Sequence, residues 1–506
     1  MGALSTIARN VASNAAGYVV ALVLALVVAP FAAEALGKQL YGVWLVIVSV
    51  TGYYGILDLG LRSAVAQYLT RAWTQGDRQT LNQVVSTALA LTTGIAGLLL
   101  LVSGLIAWRS DLLFTVQGQT LAEVQEAVLV FGIGVALSFP MAVFGSAIQA
   151  RQRFDLLNVI GIAERLVTNG LYLWALDAGH GILELAWITT LGGAAGHAAR
   201  AVVALRLLPG LELGVRFVDR ATVKKLFGFG VFSFLVSTSD RLVLYTDTLV
   251  IQLVLDEVAV TYYSWGVTLV HHYLGIVNMV AWTLTPHATA LDAKQNLDGL
   301  RHLWLAGSRS LVQIAVLVGG GLLFCGRDFL QVWVGEEYLL GTPYTSSATV
   351  MAVLTVAALL RSLMTCGKQV LYGMREVRSM ARLAIGEALA NVVLSVPLAF
   401  WLGNLGVALG TLLPSAVVNL WLQPRSVARQ LGVGYGRFVA HVVPPALLVL
   451  AAMAIARELV GWYVPVTGWG SFGAVAGVVG LVGAVASWSF GIGPAERQRL
   501  LARLRR

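Results

Sequence analysis

A chain of 506 residues that is 58% hydrophobic and only 12% charged, with a mean hydropathy of +0.79, is too apolar for a soluble globular protein. The composition implies an all-α polytopic membrane protein, so the net charge of +9 is a matter of topology and not of nucleic-acid binding. Cys325 and Cys366 lie in apolar segments and offer neither a disulfide framework nor a metal-ligand spacing.

Apolar stretches of roughly 20 residues, enough to cross about 30 Å of hydrocarbon, recur about 14 times. They fall at about 12 to 33, 40 to 69, 81 to 108, 124 to 149, 157 to 176, 183 to 205, 226 to 255, 258 to 285, 306 to 325, 346 to 373, 380 to 402, 405 to 423, 438 to 462 and 470 to 492. The first ends in PFAAEALGKQ and has no small-residue cleavage site, which reads as a retained span and not a removed signal peptide. With the N-terminus inside, Arg9, Arg71, Arg78, Arg151, Arg153, Arg375, Arg378, Arg382 and the tail PAERQRLLARLRR all fall on one side. About 24 basic residues gather there against about 4 outside, so both termini are expected in the cytoplasm.

The longest inside loop, RLLPGLELGVRFVDRATVKK, reads as a hinge between two lobes. It divides residues 1–210 from 211–430, each expected to hold six helices related by a pseudo-two-fold repeat; 431–506 then holds two extra helices and the basic tail. Tyr41 and Trp44 are spaced like Tyr262 and Trp265, a faint echo between the halves. The outside loops are short, so no extracytoplasmic catalytic domain is expected.

Six basic residues belong to no loop: Arg62, Arg165, Arg200, Arg241, Arg361 and Lys368. A charge at a helix centre costs about 2.5 to 3.5 kcal/mol on insertion scales, so a deep one needs a partner or water. Arg200 and Lys368 lie close enough to cytoplasmic ends to snorkel, and Arg165 follows Glu164 near the start of its span. Arg62 lies about 13 Å along a helix from Arg71, Arg361 is about as deep, and Arg241 is roughly 24 Å from Lys225. The acids of the spans are Asp58, Glu164, Asp240, Asp247 and Glu387. In ILDLGLRSA, Asp58 and Arg62 are four apart and share a helix face; Asp240 and Asp247 share another. Such pairs either brace helices or serve a substrate.

An arginine-lined cavity suits an anionic headgroup, because guanidinium presents a planar donor fork to phosphate oxygens. A pyrophosphate-linked lipid fits, its isoprenoid tail staying in the bilayer. Trp44, Tyr53, Tyr54, Tyr262, Tyr263 and Trp265 either stack on sugar rings or form an interfacial belt. The opening RNVASN, the helix ending in APF, LGKQLYGVWLVIVSVTGYYGILDLGL and SDRLVLYTDTLVIQLVLDEVAVTYYSW resemble the polysaccharide flippases of the multidrug/oligosaccharidyl-lipid/polysaccharide exporter superfamily, closest to the Wzx-type O-antigen and exopolysaccharide translocases. The resemblance implies two six-helix lobes plus two helices and alternating access in the bacterial inner membrane. It also implies translocation of a polyprenyl-pyrophosphate-linked oligosaccharide, its headgroup in a cationic cavity between the lobes. By location, Arg62, Arg241, Arg361 and Lys368 are the candidate substrate-binding residues, and Asp58, Asp240 and Asp247 the coupling or ion-pair residues. The first span lacks the basic residues of the lipid II flippase branch beyond Arg9.

No G-x-x-x-x-G-K-[ST] phosphate loop is present, so no nucleotide or other cofactor is expected; proton or sodium coupling would fall to the buried acids. His271 and His272 point about 100° apart on a helix, which argues against a shared metal. Membrane lipids and the lipid-linked glycan are the expected partners, with a polysaccharide polymerase as a further one and nucleic acid excluded. Two competing readings are a cation-coupled multidrug or metabolite exporter of the same superfamily, and a membrane glycosyltransferase or polymerase.

Overall fold

The computed structural model describes residues 3–228, 231–491 and 497; the Arg9 side chain and the rest of the basic tail lie outside the described residues. Every regular element among the described residues is helical. In chain order they are α1 (Ala3–Tyr53), α2 (Leu61–Gln75), α3 (Arg78–Trp108), α4 (Gln119–Ala150), α5 (Phe154–Asp177), α6 (Ile182–Leu207), α7 (Arg220–Gly228), α8 (Val231–Val254) and α9 (Glu257–Ala281). There follow α10 (Leu284–Ala293), α11 (Leu297–Val334), α12 (Ser347–Leu363), α13 (Thr365–Gly373), α14 (Val377–Leu402), α15 (Asn404–Ala416), α16 (Gln423–Leu431), α17 (Tyr435–Gly461) and α18 (Trp469–Ala486).

Ten of these segments are long and apolar enough to cross a membrane, which makes the chain a multi-pass membrane protein. The difference from the expected count has two physical sources. The helices expected at 12 to 33 and 40 to 69 follow one another across a kink at Gly37 (φ 73, ψ 162) and form one continuous apolar stretch as far as Asp58. That conformation is open essentially to glycine alone, and open space surrounds the position where a Cβ would stand. The spans expected near 157 to 176, 183 to 205 and 226 to 255 fall on α5, α6 and α8, whose apolar character is diluted by Glu164, Arg165, Arg200, Asp240, Arg241 and Asp247.

The second expected span is also broken at its midpoint. After Tyr53 the chain tightens into a 3-10 turn over Tyr54–Asp58, passes through two left-handed residues, Leu59 (φ 50) and Gly60 (φ 74), and restarts as α2. Irregular backbone of this kind survives in an apolar chain only where protein or water satisfies it.

The chain forms two compact units, Met1–Thr261 and Tyr262–Arg506. In the first, Leu61, Val65 and Leu69 of α2 pack with Val84 and Val85 of α3 and Phe144 and Ile148 of α4, with Leu226 of α7 closing one end. In the second, α11 packs against α12, α17 and α18; its core holds Trp304 stacked on Phe438 at 4.7 Å and an edge-on Trp265–Trp333 pair at 5.3 Å. Outward faces remain apolar, as with Val19, Val23 and Val27 of α1 or Leu389, Val393 and Phe400 of α14. A helix that is apolar all round is stable where hydrocarbon covers what protein does not.

The loop expected to be a hinge is fastened to the first unit. Backbone N–H groups of Glu212, Gly214 and Asp219 donate to Asn82 Oδ1 (3.1 Å), Ser86 Oγ (3.3 Å) and Thr87 Oγ1 (3.1 Å), all on α3. Residues 208–219 therefore form a strap along α3, and Asp219 caps α7 through Thr222.

Candidate functional site

The break at Leu59–Gly60 builds the first group of charges. Asp58 ends the 3-10 turn and Arg62 sits in the first turn of α2, so the expected pair forms, though across two short helical pieces and not along one. Arg62 Nε lies 3.2 Å from Asp58 Oδ1, and the same carboxylate accepts the Arg62 backbone N–H, capping α2. Arg241 of α8 also lies within electrostatic reach of Asp58 and donates to the Gly52 carbonyl at 3.2 Å. Asp58 is thus paired with one guanidinium and lies within the field of a second.

The sequence GYYG makes this approach possible. A Cβ on Gly52 would collide with the Tyr245 ring, and one on Gly55 with the Arg241 guanidinium. Around these contacts Ser49 Oγ donates to the Tyr245 carbonyl (3.0 Å) and Tyr53 bonds Thr246 (2.6 Å). Asp247 is buried next to this seam, within reach of the Tyr53 hydroxyl, whereas Asp240 is exposed.

Further polar residues extend the group on α5 and α6. Arg200 Nη2 meets Glu164 Oε2 at 2.6 Å, so Arg200 is paired and not simply snorkelling. Arg165 donates to the Gly17 carbonyl at 3.3 Å. His197 stands within electrostatic reach of both Arg200 and Arg62. The link between Arg62 and α6 was not readable in the sequence, because it depends on how α2 and α6 meet α4.

In the second unit the charges gather around Glu387 of α14. Its Oε1 lies 3.0 Å from Arg361 Nε of α12, 2.7 Å from Ser415 Oγ of α15 and 3.3 Å from Asn419 Nδ2. Lys368 of α13 is also within electrostatic reach of this carboxylate, and His271 of Arg361. Asn419 lies in a π-helical turn, Val417–Leu422, of the kind that often marks functional sites. Glu387 stood out in the sequence only as an acid in an apolar helix; the structure makes it the common partner. Asp58, Arg62 and Arg241 are therefore brought together in one unit, and Arg361 and Lys368 in the other.

Several expectations about chemistry are now constrained. Among the described residues no group of three or more His, Cys, Asp or Glu could hold a metal, and Cys325 and Cys366 are buried free thiols. Tyr262, Tyr263 and Trp265 are buried, with Tyr262 and Trp265 packed on Tyr338, so they are core residues and not a sugar platform. Trp44 is packed edge-on against Phe131 and Tyr172.

Long apolar helices, a helix broken at an ion pair and buried carboxylates set among cations describe a polytopic helical membrane protein. The family described as "Polysaccharide biosynthesis protein" matches residues 7–290, and the chain belongs to it. It is 24% identical over 491 residues, 95% of this chain and 94% of the relative, to the membrane protein EpsK of Bacillus subtilis (strain 168). It is 21% identical over 327 residues, 62% of this chain and 73% of the relative, to a putative O-antigen transporter of Shigella flexneri. Among solved structures, the lipid II flippase MurJ in an inward closed conformation superposes with a TM-score of 0.71 at 12% identity, covering 94% of this chain and 97% of that one. An inward-facing multidrug transporter of the MATE family follows at 0.66 and 14% identity, covering 81% and 94%. The resemblance to polysaccharide flippases of the exporter superfamily is upheld, and the chain stands among transporters, not glycosyltransferases or polymerases.

Proposed function

We propose that this protein moves a polyprenyl-pyrophosphate-linked oligosaccharide from the cytoplasmic to the periplasmic leaflet of a bacterial inner membrane by alternating access. Both termini are then cytoplasmic, and the helices form two six-helix lobes, 1–210 and 211–430, with two more in 431–506. The observation that carries this reading is the gathering of cations around carboxylates: Arg62 pairs with Asp58 with Arg241 in electrostatic reach, and Arg361 pairs with Glu387 with Lys368 in reach. A guanidinium placed in this way presents a planar donor fork to phosphate oxygens. Asp58 positions Arg62 and Arg241 in this scheme, and Asp240 and Asp247 are the acids placed to take up a coupling proton or sodium ion. A polysaccharide polymerase would receive the exported glycan.

The likeness to a multidrug exporter favours a second reading, export of organic cations, but arginines within the spans oppose it. Glycan export in cells carrying Arg62→Ala, Arg241→Ala or Arg361→Ala tests the choice. Loss of export at unchanged protein level and topology supports the flippase; normal export by all three eliminates the cationic site. Uptake of a cationic dye into liposomes, indifferent to glycolipid, would favour the exporter.

A further inference from the structure

A cavity of about 380 Å³ opens on the basic-loop side of the first unit, between the end of α2, the start of α3 and α7. Its rim carries Arg71 and Lys225, both exposed, together with Gln75 and Gln83, while Ala72, Val84 and Leu226 form an apolar floor. Asp77 also lines it, but its carboxylate is held as the α3 cap by the Thr80 N–H (2.9 Å) and hydroxyl (2.6 Å). Arg78, Arg216, Arg220 and Lys224, neighbours in the chain of the lining residues and the strap, are also exposed, Arg216 paired with Glu212.

The surroundings distinguish a lipid from a soluble anion. The strap and α7 display apolar side chains beside these charges: Val215 is 88% exposed, Leu213 44%, Val218 40% and Phe227 37%. Leu213, Val215 and Val218 lie on the strap bonded to α3 and Phe227 on α7, and water is a poor place for all four. A segment with lysines and arginines beside exposed aliphatic and aromatic groups is built to lie in a membrane interface. We propose that the cavity binds the phosphodiester headgroup of an anionic phospholipid from the adjoining leaflet, with Arg71 and Lys225 on the phosphate and the strap residues among the acyl chains. The site is separate from the Asp58 and Glu387 groups and does not depend on what the protein transports. Two residues in the chain separate α7 from α8, so the headgroup would sit close in sequence to the helix that carries Arg241.

Native mass spectrometry of the purified full chain, titrated with phosphatidylglycerol or phosphatidylcholine of identical acyl chains, reads this directly. Wild type should retain phosphatidylglycerol at least about tenfold better. Arg71→Ala with Lys225→Ala should remove most of that preference, since each surface cation contributes about a factor of five. Arg71→Lys with Lys225→Arg should keep it. Should the double alanine variant lose its thermal midpoint, the glutamine pair at the same positions gives the same reading. Equal retention of the two lipids by wild type, or an undiminished preference in a folded neutral variant, overturns the proposal. Displacement of the lipid by excess inorganic phosphate would instead assign the cavity to a soluble anion.

Discussion

Replacing Glu387 by Met isolates what the second charge group contributes to stability. The side chains of Arg361 and Glu387 are only 20% and 6% exposed, so removing the acid leaves a guanidinium largely enclosed with its carboxylate partner gone. Breaking a buried pair from one side costs about 3 to 5 kcal/mol. The lower figure applies because Arg361 keeps some access to water. At about 2 to 4 °C per kcal/mol for a unit of this size, the thermal midpoint should fall by ~6 to 12 °C. The double variant Arg361→Met with Glu387→Met removes both charges and should recover at least half of that loss. Full recovery is not expected, because Ser415 and Asn419 lose their acceptor at about 1 kcal/mol each. The assay is thermal unfolding in one detergent, followed by tryptophan fluorescence. A single-variant drop below 2 °C, or a double variant no more stable than the single, refutes the assignment of Glu387 as a structural counter-charge.

Gly37→Ala should destabilise α1 by about 1 to 3 kcal/mol through the backbone alone, and Gly37→Asn should be no milder, because ψ 162 lies outside the left-handed helical basin that asparagine tolerates. Thermal midpoints of the two variants check this. Gly55→Ala should displace the Arg241 guanidinium and lower glycan export at least tenfold while moving the midpoint little, because only a flexible side-chain end must shift. Asp77 and Asp219 cap α3 and α7, and the Thr80 and Thr222 donors pull both carboxyls below their ordinary range. Their contribution to stability is therefore complete above the unfolded value of about 4 and disappears as pH falls through the lower folded values. Midpoints measured from pH 8 to pH 5 should show no change from these caps, with the loss confined to stronger acid and smaller in Asp77→Asn, which leaves only the Asp219 cap to titrate.

What was legible in the sequence was local. The Asp58–Arg62 pair follows from a four-residue spacing, and the membrane class from composition. The break between them was hidden because Leu59 takes a left-handed conformation that leucine rarely adopts, leaving Gly60 as the one printed hint. Arg241 could be placed deep in its span but not next to Asp58, since that contact depends on glycines 189 and 186 positions away in the chain permitting close approach. Glu387 was visible as an expensive residue, yet Arg361, Ser415 and Asn419 come from three other segments. The central loop looked like a hinge by length and charge; its attachment is made by Asn82, Ser86 and Thr87, which read as ordinary small polar residues of a span.

That strap changes how this protein can be cut and tagged. A protease needs several residues of free, extended chain, but residues 212, 214 and 219 have their amide hydrogens committed to α3. Arg216 and Arg220 should therefore be poor trypsin sites despite their exposure. For the same reason, a reporter inserted at the longest basic-side loop would pull the strap from its track, whereas loop length alone would recommend it as the safest position in the chain.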